Sequence, residues 1–184
     1  MNKKYHTFKV KKILMRKKTN YYLYIFLFMA LSGCKSCGYS LSGINIPADV
    51  KTMSVQFFPN KAPIISPTLS QRFTEQLKDK FLKETSLTIV SDNGDYKLSG
   101  EIIDYKTEVV AFNNNTGSAK NRFSVTVRAV FESATHKDLN FIEEIVKFQE
   151  FEATQNFQTV EAALSEEVSK QIIQEIFNKI ALKW

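Results

Sequence analysis

The residues of this chain best suited to chemistry are few, and the most telling of them lies near its start. Its 184 residues include two cysteines and two histidines. Cys34 closes the tetrad Leu31-Ser32-Gly33-Cys34. The tetrad resembles a lipobox, which implies that small side chains leave the preceding bond open to a peptidase and that the sulfur carries a diacylglycerol. Cys37 is the weaker candidate, because Lys35 sets a charge just before the small residue Ser36. His6 sits in a basic segment, and His136 stands in the polar turn Thr135-His136-Lys137-Asp138, where a solvated imidazole outranks a catalytic one. No Cys/His cluster has zinc spacing. Neither a Gly-rich phosphate loop after a strand nor a Gly-x-Ser-x-Gly elbow is present. The neighbouring acids Glu143-Glu144 face opposite sides of a strand and Glu166-Glu167 diverge on a helix, so they read as solvated charge and not as an acid-base pair. The chain is therefore read as a non-enzyme with no metal and no cofactor beyond lipid at Cys34.

The elements around Cys34 support that reading. Lys3, Lys4, Lys9, Lys11, Lys12, Arg16, Lys17 and Lys18 precede an apolar run from Tyr21 to Leu31, the order of a secretory signal. A helix crossing a bilayer needs about 20 residues, and this run is about half that. The ending resembles a bacterial lipobox; the alternative is an ordinary signal followed by an unmodified cysteine. Two or more acyl chains anchor stably where one chain is marginal. The expected organisation is a signal peptide at 1–33, a lipidated tether at 34–49 rich in Gly and small polar residues, and one domain at 50–184.

Charge follows the same division. The chain has 25 basic and 19 acidic residues, and removing the eight basic residues before Cys34 leaves 17 against 19. The mature part is then slightly acidic, so the overall excess of base does not argue for nucleic acid. Its 151 residues (184 less 33) suffice for one core. With Cys34 acylated, Cys37 has no partner in the chain, so packing and not a disulfide framework must hold the fold.

Periodicity predicts the elements. Val50 to Phe58 alternates, with Met53, Val55 and Phe57 inward. Ser66 reads as the cap, and Pro67 as the first residue, of a helix to Lys83 whose Leu69, Phe73, Leu77 and Phe81 form one stripe. Leu87 to Val90 reads as a short strand closed by a hairpin turn at Asn93-Gly94. Tyr96 to Phe112 changes face near Ile102-Ile103, which suggests a bulge. Asn113 to Asn121 reads as a polar loop; its Asn114-Asn115-Thr116 matches a glycosylation pattern, which carries no weight if the chain is, as the lipobox resemblance implies, a bacterial lipoprotein. Arg122 to Ser133 carries the clearest alternation, with Phe123, Val125, Val127, Ala129 and Phe131 inward. Leu139 to Phe151 reads as its antiparallel partner, anchored by Phe141, Ile145, Val146 and Phe148. Thr159 to Leu182 repeats Val160, Leu164, Val168, Ile172, Ile176 and Ile180 every four residues, as a long amphipathic helix. The fold class that covers these faces is an α+β two-layer sandwich, with two helices on one face of a mostly antiparallel or mixed sheet of four to five strands. Phe57, Phe73, Phe81, Phe123, Phe131 and Phe177 are expected in the core. Phe112, Phe151 and Phe157, near element ends, are the aromatic candidates for a partner surface, though core placement ranks first for each.

Several segments carry a family resemblance: Cys37-Gly38-Tyr39-Ser40-Leu41-Ser42-Gly43, the strand Val50 to Phe58, Asn60-Lys61-Ala62-Pro63, Pro67-Thr68-Leu69-Ser70, and Ile176-Phe177-Asn178-Lys179 with Trp184. Together they resemble the LptE lipoproteins of the Bacteroidetes type, from about Cys37 to Trp184. Members commonly carry the lipidated cysteine directly before Gly-Tyr-Ser, which would be Cys37, whereas the better lipobox here ends at Cys34. The resemblance implies an outer-membrane lipoprotein on the periplasmic side, lipid-anchored, which plugs the β-barrel LptD and helps it assemble lipopolysaccharide at the surface. Lys120, Arg122 and Arg128 are candidate contacts to lipopolysaccharide phosphate, with a solubilising role ranking ahead of that. Its binding positions are otherwise unassigned. The alternatives are an accessory lipoprotein of phospholipid trafficking and a structural surface lipoprotein.

Overall fold

The computed structural model describes residues 43–63, 68–113 and 118–182. In chain order these form β1 (Thr52–Val55), α1 (Leu69–Glu84), β2 (Thr88–Val90), β3 (Tyr96–Asn113), β4 (Ser118–Ser133), a 3-10 turn (Lys137–Leu139), β5 (Phe141–Glu152) and α2 (Phe157–Ala181). The strands make one mixed sheet in the order β2-β1-β3-β4-β5. β1 is parallel to both β2 and β3, and the β3-β4 and β4-β5 pairs are antiparallel. The helices lie on one face, as the sequence predicts. Cys34, Cys37, Ser66, Pro67, Asn114-Asn115-Thr116 and Trp184 lie outside the described residues.

The core is the helix-covered side. β4 buries Phe123, Val125, Val127, Ala129 and Phe131 in alternation, and α1 buries Leu69, Phe73, Leu77 and Phe81 as its spacing predicts. α2 buries Val168, Ile172, Ile176 and Ile180, while Val160 and Leu164 nearer its start are only half-buried. The helices meet through Phe81 and Phe177, whose ring centroids are 5.2 Å apart. At the head of α2 the Asn156 side chain accepts the Gln158 N–H, satisfying one of the donors a helix start leaves free. The expected bulge is present, as a register shift between Ile102 and Asp104.

Three expectations fail for physical reasons. The Asn93-Gly94 turn does not close a hairpin, because β1 lies between β2 and β3. The link crosses β1, so close to it that a Cβ on Gly94 would come within 2.5 Å of Ser54 N and 2.8 Å of Met53 C. Asn93 takes a positive φ of 55° to make the crossing. Asp95 then fastens the crossing to β1: its Oδ2 accepts from Lys51 N–H, Thr52 N–H and the Thr52 hydroxyl. Second, Phe57 is 59% exposed and Phe58 takes the core place instead. β1 ends at Val55, after which Gln56 N–H bonds Leu98 C=O and Phe58 N–H bonds Thr74 Oγ1, so the alternation shifts phase. Third, Val146 and Phe148 are on the open side of β5, because the strict period of two runs through Phe141, Ile145 and Phe151 on the inner side.

Candidate interaction surface

The open side of the sheet is where the candidate side chains gather. Directly opposed residues on neighbouring strands share a face, so β3, β4 and β5 lay out transverse rows. One row is Glu101, Arg128 and Glu144; another is Lys106, Ser124 and Phe148; a third is Glu108, Arg122 and Glu150. Arg128 is held from both sides. Its Nη1 donates to Glu101 Oε1 at 2.9 Å, and its Nη2 donates to Glu144 Oε1 at 2.8 Å. The hydrogen bonds to Glu144, helped by the negative charge there and at Glu101, raise the guanidinium pKa above its ordinary value. Arg122 donates to Glu150 at 2.9 Å and lies 4.1 Å from the Phe148 ring centroid, a cation–π stack. Lys120 Nζ is 3.9 Å from Glu150 Oε2. The Arg122 hydrogen bond, more than the charges of Arg122 and Lys120, holds Glu150 below the usual carboxylate range.

Lys120, Arg122 and Arg128 therefore do share one face of β4, with Lys120 in the strand and not in the expected loop. Each is already matched by a carboxylate. A phosphate would have to displace Glu150 or Glu144 to engage them, so the solubilising reading fits their surroundings better. Sequence reasoning missed the apolar members of the surface: Ile142, Val146 and Phe148 are 73%, 56% and 46% exposed. The signal was available, since counting by twos from Ile142 gives Glu144, Val146, Phe148 and Glu150 and leaves Phe141, Ile145 and Phe151 on the other side.

The other singled-out residues are placed as follows. Phe151 is buried and its ring lies 5.9 Å from that of Phe157, which also touches Phe123 at 5.5 Å, so both serve the core and not a partner surface. The Phe112 side chain lies outside the described ones. His136 Nε2 sits 3.0 Å from Asp49 Oδ2, tying the β4–β5 turn to the segment before β1; this hydrogen bond is the main reason Asp49 stays below the usual carboxylate range. Glu143 and Glu144 do face opposite ways, the first paired with Lys179 on α2 at 2.9 Å and the second with Arg128. Glu166 pairs with Lys170 at 2.8 Å. A polar groove of about 330 Å³ opens between the early turns of the two helices, lined in part by Arg72, Gln76, Glu161 and Glu166. Glu161 there accepts the Tyr105 hydroxyl at 2.5 Å. Among the described residues no group of three His, Cys, Asp or Glu could hold a metal ion, and no helix is long and apolar enough to cross a membrane.

The LptE family, described as lipopolysaccharide-assembly, matches residues 50–180. The chain belongs to the LptE family. The match spans every described strand and all of α2 but its last residue. Among solved structures the chain is similar to a minor lipoprotein from Acinetobacter baumannii, at 16% identity over 71% of this chain and 92% of that one, with a TM-score of 0.49. It is similar also to rare lipoprotein B from Shewanella oneidensis, at 9% identity over 69% and 90%, with a TM-score of 0.46. A lipoprotein B from Nitrosomonas europaea is 13% identical over 72% and 88%, with a TM-score of 0.46. No curated protein matches. LptE proteins are lipoproteins of the cell envelope that act in lipopolysaccharide assembly and not in catalysis, and at that level this is what the chain is.

Proposed function

We propose that this LptE protein is exported by residues 1–33, acylated at Cys34 or else at Cys37, and held by that anchor on the periplasmic side of the outer membrane. Its domain from residue 50 fills and braces the lumen of an LptD-like barrel. The pair then delivers lipopolysaccharide to the outer leaflet, with the barrel supplying the passage and this chain the scaffold. The observation that carries the reading is the uncovered sheet face, where ion-paired rows alternate with exposed Ile142, Val146 and Phe148. A large outer-membrane barrel has a polar, wet interior. Against such a wall a surface whose arginines are already ion-paired avoids burying lone positive charge, and its three apolar side chains supply contact area.

The test is recovery of the tagged full chain from membranes in mild detergent. A co-purifying barrel of high mass that migrates differently before and after heating supports the proposal. Recovery of an inner-membrane transporter in its place transfers the chain to phospholipid trafficking, and recovery of neither makes it a structural lipoprotein. Mass spectrometry of the mature N-terminal peptide distinguishes Cys34 from Cys37, and an unacylated N-terminus removes the anchor from the proposal.

A further inference from the structure

α1 and α2 close on each other toward their ends and stand apart near their starts. Phe81 and Phe177 make the close contact. Nearer the starts α2 presents the short side chains of Ala162, Ser165 and Ser169, and these leave the groove of about 330 Å³ that Arg72 and Gln76 of α1 line from the other side. Two of its polar groups have no use inside the chain. Among the described residues the Arg72 guanidinium makes no hydrogen bond or ion pair, and Glu166, the carboxylate its charge bears on, is taken by Lys170 at 2.8 Å. Gln76 Oε1 is buried and accepts no hydrogen bond, so a donor brought to it from outside relieves an unmet acceptor. Glu161 is already engaged, by the Tyr105 hydroxyl at 2.5 Å.

We propose that this groove takes an extended peptide segment bearing one Asp or Glu, contributed by the barrel in whose lumen the domain sits. The inference rests on that reading, in which the helix side is enclosed as well as the open sheet face. The segment's carboxylate pairs with Arg72, and the positive end of the α1 dipole, at Thr68 and Leu69 on the same groove wall, adds to the attraction. A backbone N–H of the segment donates to Gln76 Oε1. Arg72 and Gln76 are four residues apart on α1 and so lie side by side, close enough for one short stretch of peptide to meet both.

The chemistry of the groove selects that occupant over others. Residues 1–42, 64–67, 114–117 and 183–184 include no Asp or Glu, so those segments of the chain cannot supply the carboxylate. A fully ionised phosphate only accepts hydrogen bonds and would leave Gln76 Oε1 unmet. A headgroup with several negative charges would also confront Glu161 and Glu166 across the groove. A peptide brings a single carboxylate between neutral amides, whose N–H groups suit both glutamates.

The experiment places a photo-crosslinking phenylalanine analogue either at Gln158 on the groove wall or at Phe148 on the open sheet face, in the full chain in its own membranes. Both sites should capture the barrel, and mass spectrometry should map the Gln158 product to a barrel peptide that contains Asp or Glu. Arg72 is exposed, so Arg72→Glu leaves the fold intact; it should lower the Gln158 yield, measured against the Phe148 yield, roughly tenfold. A lysine in place of the mapped acid of the barrel should then restore it. A Gln158 product with lipopolysaccharide, or none, while Phe148 still captures the barrel overturns the inference and leaves the barrel reading standing. A mapped peptide without an acid, or an Arg72→Glu yield equal to the parent's, does the same. Loss of the barrel product from both sites removes the two together.

Discussion

Asp95 shows how much a single carboxylate can organise. Its Oδ2 takes three hydrogen bonds from the start of β1, and its own N–H donates to the Thr52 hydroxyl at 3.0 Å. The Lys51 N–H first, then the Thr52 hydroxyl and N–H, hold its pKa below the ordinary value. A carboxyl whose folded pKa lies below its unfolded one contributes stability that is complete above about pH 4 and is lost as pH falls through the folded value. Asp95→Asn keeps an acceptor but no charge. Unfolding midpoints measured in urea from about pH 7 down to about pH 3 should therefore favour the parent near neutrality, with the gap to the variant closing as acid is added. A gap that does not change with pH would mean the charge contributes nothing to the clasp. Nothing in the sequence announced this role: Asp92, Asn93 and Asp95 all look like turn residues, and only the crossing over β1 singles out the last.

At the scale of elements, what could be read from the sequence was what local periodicity controls. β4 alternates without interruption, α1 repeats every four residues, and the bulge at Ile102 shows as a change of face; each was legible because its neighbours in sequence are also its neighbours in the core. The place of β1 between two parallel strands was not legible, since it rests on contacts across some forty residues and on a glycine crossing that resembles an ordinary hairpin turn. The face of β5 was misjudged because Ile145 and Val146 are adjacent and both apolar, and only the helix layer decides which of them is covered. The apolar members of the interaction surface were missed with it, although the period of two along β5 already set Ile142, Val146 and Phe148 apart from Ile145. The join between the helices is testable on its own. Phe81→Ala removes a fully buried ring and should cost about 3–5 kcal/mol. Adding Phe177→Ala should cost less than the sum of the two single changes, because the rings share one contact. Strict additivity in denaturant melts would show that the two helices are held by other contacts.

Taken whole, the molecule is two unlike surfaces back to back, one sealed by helices and one left open and laced with ion pairs. Stability should be insensitive to the open face and partnership sensitive to it. Phe148→Ala is expected to change unfolding free energy by no more than about 1 kcal/mol, while the amount of barrel recovered with the tagged chain falls severalfold. Unchanged recovery from a variant of unchanged stability would move the docking surface elsewhere. The position of β1 also has a consequence for how the molecule is made. Synthesis begins at the N-terminus, so Met53, Val55 and Phe58 are produced well before Thr88–Val90 and Tyr96–Leu98, the strand segments that flank β1. Until those arrive the nascent first strand has no neighbour on either hand, and its greasy side chains are open to any passing escort, so of all the strand seams the one between β1 and β3 is left unsewn longest.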